Sequence, residues 1–149
     1  MLEMTKTVTC IRHGQPQECS EGDPCLSEIG ISQASVLTGQ FDLIVLSPLR
    51  RAIETYTRSN VSGSRIIVSD LAREQRDDKK YNQLRGEGAV SETVDDMYRR
   101  MSEFREFLKG QPENNICVFS SAFAICYLQQ VCGYSSKPVG YTEVIQFSI

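Results

Sequence analysis

The single histidine of the chain, His13, lies in a sequence context that favours contact with a bound anion. It is the only histidine among 149 residues, so counting excludes any mechanism that needs two histidines and any metal site built on a histidine cluster. It stands in Arg12-His13-Gly14, directly after the apolar run 8–11. A short strand that ends in an arginine and a histidine, followed by a glycine, can hold an imidazole next to an anion.

Side chains that suit a phosphoryl group follow four predicted strands. Because ligands of open α/β sheets bind beyond the carboxyl ends of the strands, we expect these side chains to converge on one edge. Guanidinium groups bind phosphoryl oxygens, and helix N-termini add partial positive charge. A neutral imidazole can act as nucleophile, and a carboxylic acid can protonate a leaving oxygen. In chain order the residues are Arg12 and His13; Ser47 and Arg51; Arg73, Glu74 and Arg76; and Ser120 and Ser121.

Each of these residues also has an ordinary interpretation. Arg51 and Glu74 can be surface charges, and a histidine at a strand end can simply be hydrogen-bonded there. Ser120 and Ser121 can cap the helix that follows them, since that helix needs a cap. Their joint placement after successive strands favours the shared site.

The predicted elements that position these residues alternate between short apolar strands and helices, with a polar, irregular stretch over 70–88. Such an order is typical of an α/β protein, here a three-layer α/β/α sandwich with helices on both faces of the sheet. The predicted strands are Thr7–Ile11, Leu43–Leu46, Ile66–Val68, Ile116–Phe119 and Glu143–Phe147. The predicted helices are Leu26–Leu37 with Ser27 as cap, Ser47–Thr57 with Pro48 in the first helical position, Glu92–Lys109 and Ala122–Val131.

Composition limits the class of protein. A length of 149 residues predicts one domain, 1–149. The net charge of −3 argues against nucleic acid as a partner. No apolar run approaches the roughly 20 residues that span a bilayer, so no membrane association is expected. The N-terminus lacks the layout of a signal peptide, and the six cysteines include no C-x-x-C pair. We therefore expect a cytoplasmic protein with reduced thiols and without zinc or another cofactor.

Five segments, in the same order along the chain, resemble the histidine phosphatase superfamily, the phosphoglycerate mutase-like group. The resemblance covers nearly the whole chain and predicts a mostly parallel sheet of phosphoglycerate mutase-like fold. The segments are Arg12-His13-Gly14; Asp23-Pro24-Cys25-Leu26-Ser27-Glu28-Ile29-Gly30; Ser47-Pro48-Leu49-Arg50-Arg51-Ala52; Leu71-Ala72-Arg73-Glu74; and the lead-in Ile116-Cys117-Val118-Phe119-Ser120, with a similar closing strand at Tyr141-Thr142-Glu143-Val144.

The resemblance implies a metal-independent mechanism through a phosphohistidine. In it His13 attacks phosphorus, while Arg12 and Arg51 hold the phosphoryl oxygens. Glu74 donates a proton to the leaving alcohol, and water then frees the phosphate. Arg73 and Arg76 are further candidates for substrate contact.

The chain departs from the family pattern after the fourth predicted strand. Where the family has a second histidine, this chain reads Ser120-Ser121-Ala122. Either Ser121 replaces that histidine, with a neutral hydroxyl at the phosphate, or one residue is lost there. Losing one preorganised donor costs on the order of a hundredfold to a thousandfold in rate.

Two functions follow from the match and the departure. The first is a phosphomonoester hydrolase of reduced activity that acts through His13 on a small phosphate ester. The alternative is a catalytically inactive pseudophosphatase that binds a phosphorylated ligand or a protein partner. A mutase is disfavoured, since only the stretch 70–88 could cover a retained intermediate.

Overall fold

Five strands alternate with four helices in the part of the chain that the structure describes. The structure is a computed structural model that describes residues 5–18, 22–77 and 90–149. The strands are β1 (Thr7–Arg12), β2 (Thr38–Leu46), β3 (Asn60–Val68), β4 (Asn115–Ser120) and β5 (Val144–Ser148). The helices are α1 (Glu28–Ser35), α2 (Arg50–Arg58), α3 (Val94–Lys109) and α4 (Ala122–Val131), with a short 3₁₀ helix at Asp70–Ala72.

The strands form one sheet in the order β3-β2-β4-β1-β5. All neighbouring pairs are parallel except β1 and β5, which are antiparallel. In the register of β1 and β4, Arg12 lies opposite Ser120. The residues that follow these two strands, His13 and Ser121, therefore leave the sheet side by side at its carboxyl edge.

Helices cover both faces of the sheet, as the sequence predicts. On one face, apolar side chains of α3 and α4 pack on β1, β2 and β4, with Met101, Phe104 and Leu128 almost fully buried. On the other face, Ala52 of α2 packs against β2 and β4, and α1 contacts α2. The α/β/α sandwich is therefore confirmed. Within the described part of the chain, no helix combines the length and apolarity needed to cross a membrane.

Two strands extend further than their apolar runs. β2 begins at Thr38 and β3 at Asn60, and their added halves carry polar side chains that are exposed on one face. The two halves pair with each other in parallel. A search for continuous apolar runs finds only Leu43–Leu46, which is buried, and Ile66–Val68, which is partly exposed, because the earlier half of each strand interleaves polar with apolar residues.

All four predicted helices are present: α4 has the predicted bounds, whereas α1, α2 and α3 begin two or three residues later than predicted. Ser27 caps α1 as predicted, with its Oγ accepting from Gly30 N at 3.1 Å. The prediction that Pro48 occupies the first position of the next helix is wrong, because α2 begins at Arg50. The predicted irregular stretch contains the 3₁₀ helix at its start, and its residues 78–88 lie outside the described residues.

The loop after β1 lies directly on α1, and two glycines make this approach possible. A Cβ on Gly30 would stand 2.2 Å from Gln15 O, and one on Gly14 would stand 2.7 Å from Gly30 O. Neither contact is tolerable, since both partners are backbone atoms. The residue after His13 is therefore held in place by close backbone packing.

Replacing Gly30 with alanine should destabilise the protein by about 2 kcal/mol or more, because the loop and α1 must separate to admit the methyl group. Urea unfolding monitored by circular dichroism measures the change. Gly110→Ala is the matched control, since its new Cβ would have no neighbour closer than 3.4 Å. Equal stability of the two variants would contradict the close packing.

Candidate active site

His13 is buried and held in one tautomer at the end of β1. Its backbone N donates to Ser120 O at 3.0 Å, which extends the pairing with β4 by one residue. Its Nδ1 lies 2.7 Å from Gly14 O, and because a carbonyl only accepts, Nδ1 carries the hydrogen. The lone pair is therefore on Nε2, to which Arg51 Nε donates at 3.3 Å. An imidazole in this state is suited to act as a nucleophile.

The surroundings of His13 favour the neutral ring. Burial lowers its pKa to about 3, and the positive charge of Arg51 contributes in the same direction. Arg12 adds a smaller lowering effect, and the hydrogen bond to the Gly14 carbonyl opposes both. His13 is therefore uncharged throughout the physiological pH range.

Arg51 lies in the first turn of α2 and is only 1 % exposed. Thr55, one turn later, donates from Oγ1 to Arg51 O at 2.6 Å and accepts from Gly14 N at 2.9 Å. This hydroxyl ties α2 to the loop after His13. The first amide of the helix is capped from outside, with Arg50 N donating to Asp23 Oδ1 at 2.9 Å. The cap from Asp23 explains how α2 begins without its own capping side chain.

Arg12 is positioned by the turn that precedes β5. Its Nη1 donates to Val139 O at 2.7 Å, and its guanidinium lies 4.1 Å from the ring centre of Tyr141. Its Nε is buried and makes no hydrogen bond within the described residues. The Tyr141 ring is also 6.0 Å from the His13 ring. Tyr141 thus forms a wall that contacts both side chains.

The turn itself is strained. Thr142 has a φ of 55°, a left-handed conformation that β-branched residues rarely adopt. Its backbone N donates to Arg12 O at 3.0 Å and to His13 O at 3.3 Å. These bonds to the end of β1 stabilise the conformation and place Tyr141 over the site.

Glu74 is the buried carboxylate of the site, and it caps α4. Its Oε1 accepts from Ala124 N at 2.9 Å and from Gln75 N at 3.0 Å, and its Oε2 accepts from Phe123 N at 3.2 Å. Burial raises its pKa, against the lowering effects of these three amides and of Arg51. Glu74 therefore holds a proton at higher pH than an ordinary glutamic acid does.

Ser120, the last residue of β4, and Ser121, which follows it, do not cap α4 with their side chains. Ser120 donates from Oγ to Ala72 O, which joins β4 to the 3₁₀ helix. Ser121 is the N-cap residue by position, but its side chain makes no capping bond. The Oγ of Ser121 is fully buried and has no hydrogen-bond partner among the residues described. An orphaned buried hydroxyl of this kind calls for a partner such as a bound ligand or water.

Arg100, which the sequence analysis missed, holds the backbone that carries Glu74. It donates to Leu71 O at 2.9 Å, to Arg73 O at 2.7 Å and to Glu74 O at 3.2 Å. Its charge is compensated by Glu92, with both contacts at 2.9 Å. The 3₁₀ helix and the residues after it are therefore locked to α3.

The structure brings the predicted site residues together at one edge of the sheet. Arg51 contacts His13, and its positive charge has a lowering effect on the pKa of Glu74. Ser121 directly follows β4, which pairs with β1, the strand that His13 follows. Of the two further candidates, Arg73 is fully buried with Nη1 3.4 Å from Asp70 Oδ1, and Arg76 Nη2 is 3.2 Å from Asp70 Oδ2. No cluster of three potential metal-binding side chains occurs in the ranges that the structure describes.

The lone histidine permits a direct measurement of its environment. Its NMR signal should remain that of neutral imidazole down to about pH 4 and titrate with a pKa of about 3. Replacing Arg51 with methionine removes the adjacent positive charge, so the pKa should rise by about one unit. Arg58→Met, at the exposed end of α2, is the control. A wild-type midpoint near the ordinary value of 6.5 would contradict the buried site.

Comparison with known proteins identifies the fold. No family model and no curated protein sequence matches the chain. Solved structures do match. A candidate α-ribazole-5′-P phosphatase from Escherichia coli has a TM-score of 0.75 at 18% identity, over 97% of this chain and 94% of that one. Phosphoserine phosphatase from Entamoeba histolytica has a TM-score of 0.70 at 18% identity, over 95% and 89% of the two chains.

A third match is the mycobacterial glucosyl-3-phosphoglycerate phosphatase, with a TM-score of 0.66 at 17% identity over 97% of this chain and 91% of that one. Identities this low establish the fold that the proteins share. The chain therefore has the phosphoglycerate mutase-like α/β fold of these phosphatases.

Proposed function

We propose that the protein is a phosphomonoester hydrolase that acts through a phosphohistidine on His13. The observation that carries this proposal is the neutral Nε2 of His13, 3.3 Å from Arg51 Nε in a buried site that also holds Glu74. A nucleophile without charge, a phosphoryl-binding cation and a proton donor are the three groups that the reaction needs. The similar solved structures are those of proteins named as phosphatases, which supports the same general activity.

In the first step, Nε2 of His13 attacks phosphorus. The new N–P bond forms as the bond from phosphorus to the ester oxygen breaks, and the protonated Glu74 gives its proton to that oxygen. Arg12 and Arg51 hold the phosphoryl oxygens. Their positive charges stabilise the negative charge of the phosphoryl group, which a neutral imidazole does not offset. The leaving group departs as a neutral alcohol.

In the second step, water attacks the phosphohistidine. The Glu74 carboxylate accepts a proton from this water, the N–P bond breaks, and inorganic phosphate leaves. His13 returns to its neutral form and Glu74 to its protonated form. The hydrogen bond from Arg51 to Nε2 breaks when this lone pair attacks phosphorus, while the bond from Nδ1 to Gly14 O holds the ring orientation in both steps.

We propose that Ser121 stands in the place of a second histidine and lowers the rate. The unbroken register of β1 and β4 supports a replacement over the loss of a residue, since Ser121 directly follows the strand beside His13. Its hydroxyl offers one neutral hydrogen bond to the phosphoryl group in place of a charged one.

A second candidate function is binding without turnover, as in a pseudophosphatase. Ser121 also favours this candidate, because without a second imidazole the transition state is less stabilised. The cationic pocket can still hold a phosphorylated ligand. Titration calorimetry with vanadate or phosphate measures such binding directly. Binding without hydrolysis would favour this candidate.

Hydrolysis of an aryl phosphate from about pH 4 to 8 tests the proposed chemistry. Activity should fall as the pH rises through the raised pKa of Glu74, because only the protonated acid can donate to the leaving group. The His13→Ala variant should have no activity above background.

Two variants test the roles proposed for Glu74 and His13. Glu74→Gln keeps an oxygen for the α4 amides but loses the proton, so kcat should fall about a hundredfold and the alkaline decline should disappear. Equal turnover by wild type and His13→Ala would overturn the phosphohistidine mechanism.

Ser121→His should raise kcat by about a hundredfold if the serine occupies the place of a second histidine. The replacement breaks no side-chain hydrogen bond, since the buried Ser121 Oγ has no partner within the described residues. Ser64→His, at an exposed position of β3, controls for adding a histidine elsewhere. An unchanged or lower kcat, with the fold intact by circular dichroism, would argue that a residue has been lost instead.

A further inference from the structure

A pocket of about 410 Å³ opens between α4 and the loop 136–139, next to the candidate active site. Its volume lies in the range of small-molecule sites in proteins. Its walls include aromatic and aliphatic side chains together with two cations. They include Arg12, Phe123, Tyr127, Lys137 and Val139.

Two residues connect this pocket to the reacting groups. Arg12 lines it and also contacts Tyr141, the wall that reaches His13. Phe123 lines it with its side chain, while its backbone N donates to the Glu74 carboxylate. The oxygen that Glu74 protonates belongs to the leaving group. Through Phe123, the proposed proton donor is therefore adjacent to this pocket.

We propose that the pocket holds the leaving group of the substrate, and that this group is an aromatic ring with an anionic substituent. This inference rests on the proposed phosphatase function and names its substrate class, an aryl phosphomonoester. The ring would lie against Phe123 and Tyr127, and the substituent would lie near Lys137.

The exposure of Phe123 supports an aromatic occupant. Its side chain is 59% exposed although it stands in the first turn of a largely buried helix. Tyr127, one turn later on α4, presents a second ring to the same pocket. Flat aromatic groups bury well against such rings, in offset or edge-to-face contact.

The charge of Lys137 supports an anionic substituent. Its side chain is exposed and makes no ion pair with any residue that the structure describes. The loop that carries it is fixed to α4, since Cys126 Sγ donates to Lys137 O at 3.2 Å and Gln130 Nε2 donates to Ser136 Oγ at 2.9 Å. A fixed backbone keeps the ammonium group close to the pocket, where it can attract a carboxylate.

The test compares kcat/KM for 4-carboxyphenyl, phenyl and ethyl phosphate. Phe123→Ala should lower the ratio of phenyl to ethyl phosphate about tenfold, since the ring contact is lost while the backbone bond to Glu74 remains. Lys137→Gln should lower the ratio of 4-carboxyphenyl to phenyl phosphate about twofold to fivefold. Val36→Ala, exposed at the opposite edge of the sheet, should change neither ratio.

Unchanged ratios in both variants, with hydrolysis intact, would overturn the assignment of the pocket and leave the phosphatase function standing. If the wild type hydrolyses none of the three esters, the function fails and calorimetry with phenylphosphonate and methylphosphonate decides about the pocket. Tighter binding of phenylphosphonate, lost in Phe123→Ala, would support it. Equal or absent binding of the two compounds would overturn it.

Discussion

The concentration of guanidinium groups at one buried edge of the sheet is the constraint on which the site depends. Arg51 and Arg73 are almost fully buried, and Arg12 ends β1 directly before His13, on whose pKa both Arg12 and Arg51 act. Positive charge taken out of water is costly unless anions or dipoles compensate it. Here it has two effects: it helps to keep His13 neutral, and it is complementary to a phosphoryl dianion. Arg100, also buried, is compensated by Glu92 and acts on the backbone instead.

Glu74 connects the electrostatics of the site to the fold. The carboxylate that is proposed to donate a proton also accepts three backbone amides and caps α4. The hydroxyl of Ser121 is thereby released from capping, which is the role that a serine before a helix ordinarily has. The three amide donors lower the pKa of Glu74, because they favour the charged carboxylate. Burial favours the neutral form and raises the pKa. The Glu74 carboxyl group is thus both the proposed acid, which must be protonated, and the cap of α4, which favours the charged form.

The sequence predicts the order of the elements and the edge at which the site lies, because apolar runs and strand ends are local signals. It does not predict the polar halves of β2 and β3, which are strands only because they pair with each other. Asp23 and Tyr141 were missed as partners because their contacts depend on tertiary packing. Arg100 did leave a local signal, a charge three residues after Met97 within the apolar stripe of α3, where a buried arginine needs backbone or carboxylate partners.

The pairing of β1 has a consequence for the order in which the protein can assemble. β1 is the first strand along the chain, yet its two neighbours in the sheet are β4 and β5, the last two. A growing polypeptide therefore carries β1 without its partners β4 and β5 until residues 115–148 have been synthesised. Closing so long a loop is slow compared with forming local helices. β1, the strand that His13 follows, is therefore made before both of its partners and can pair only after they have been made.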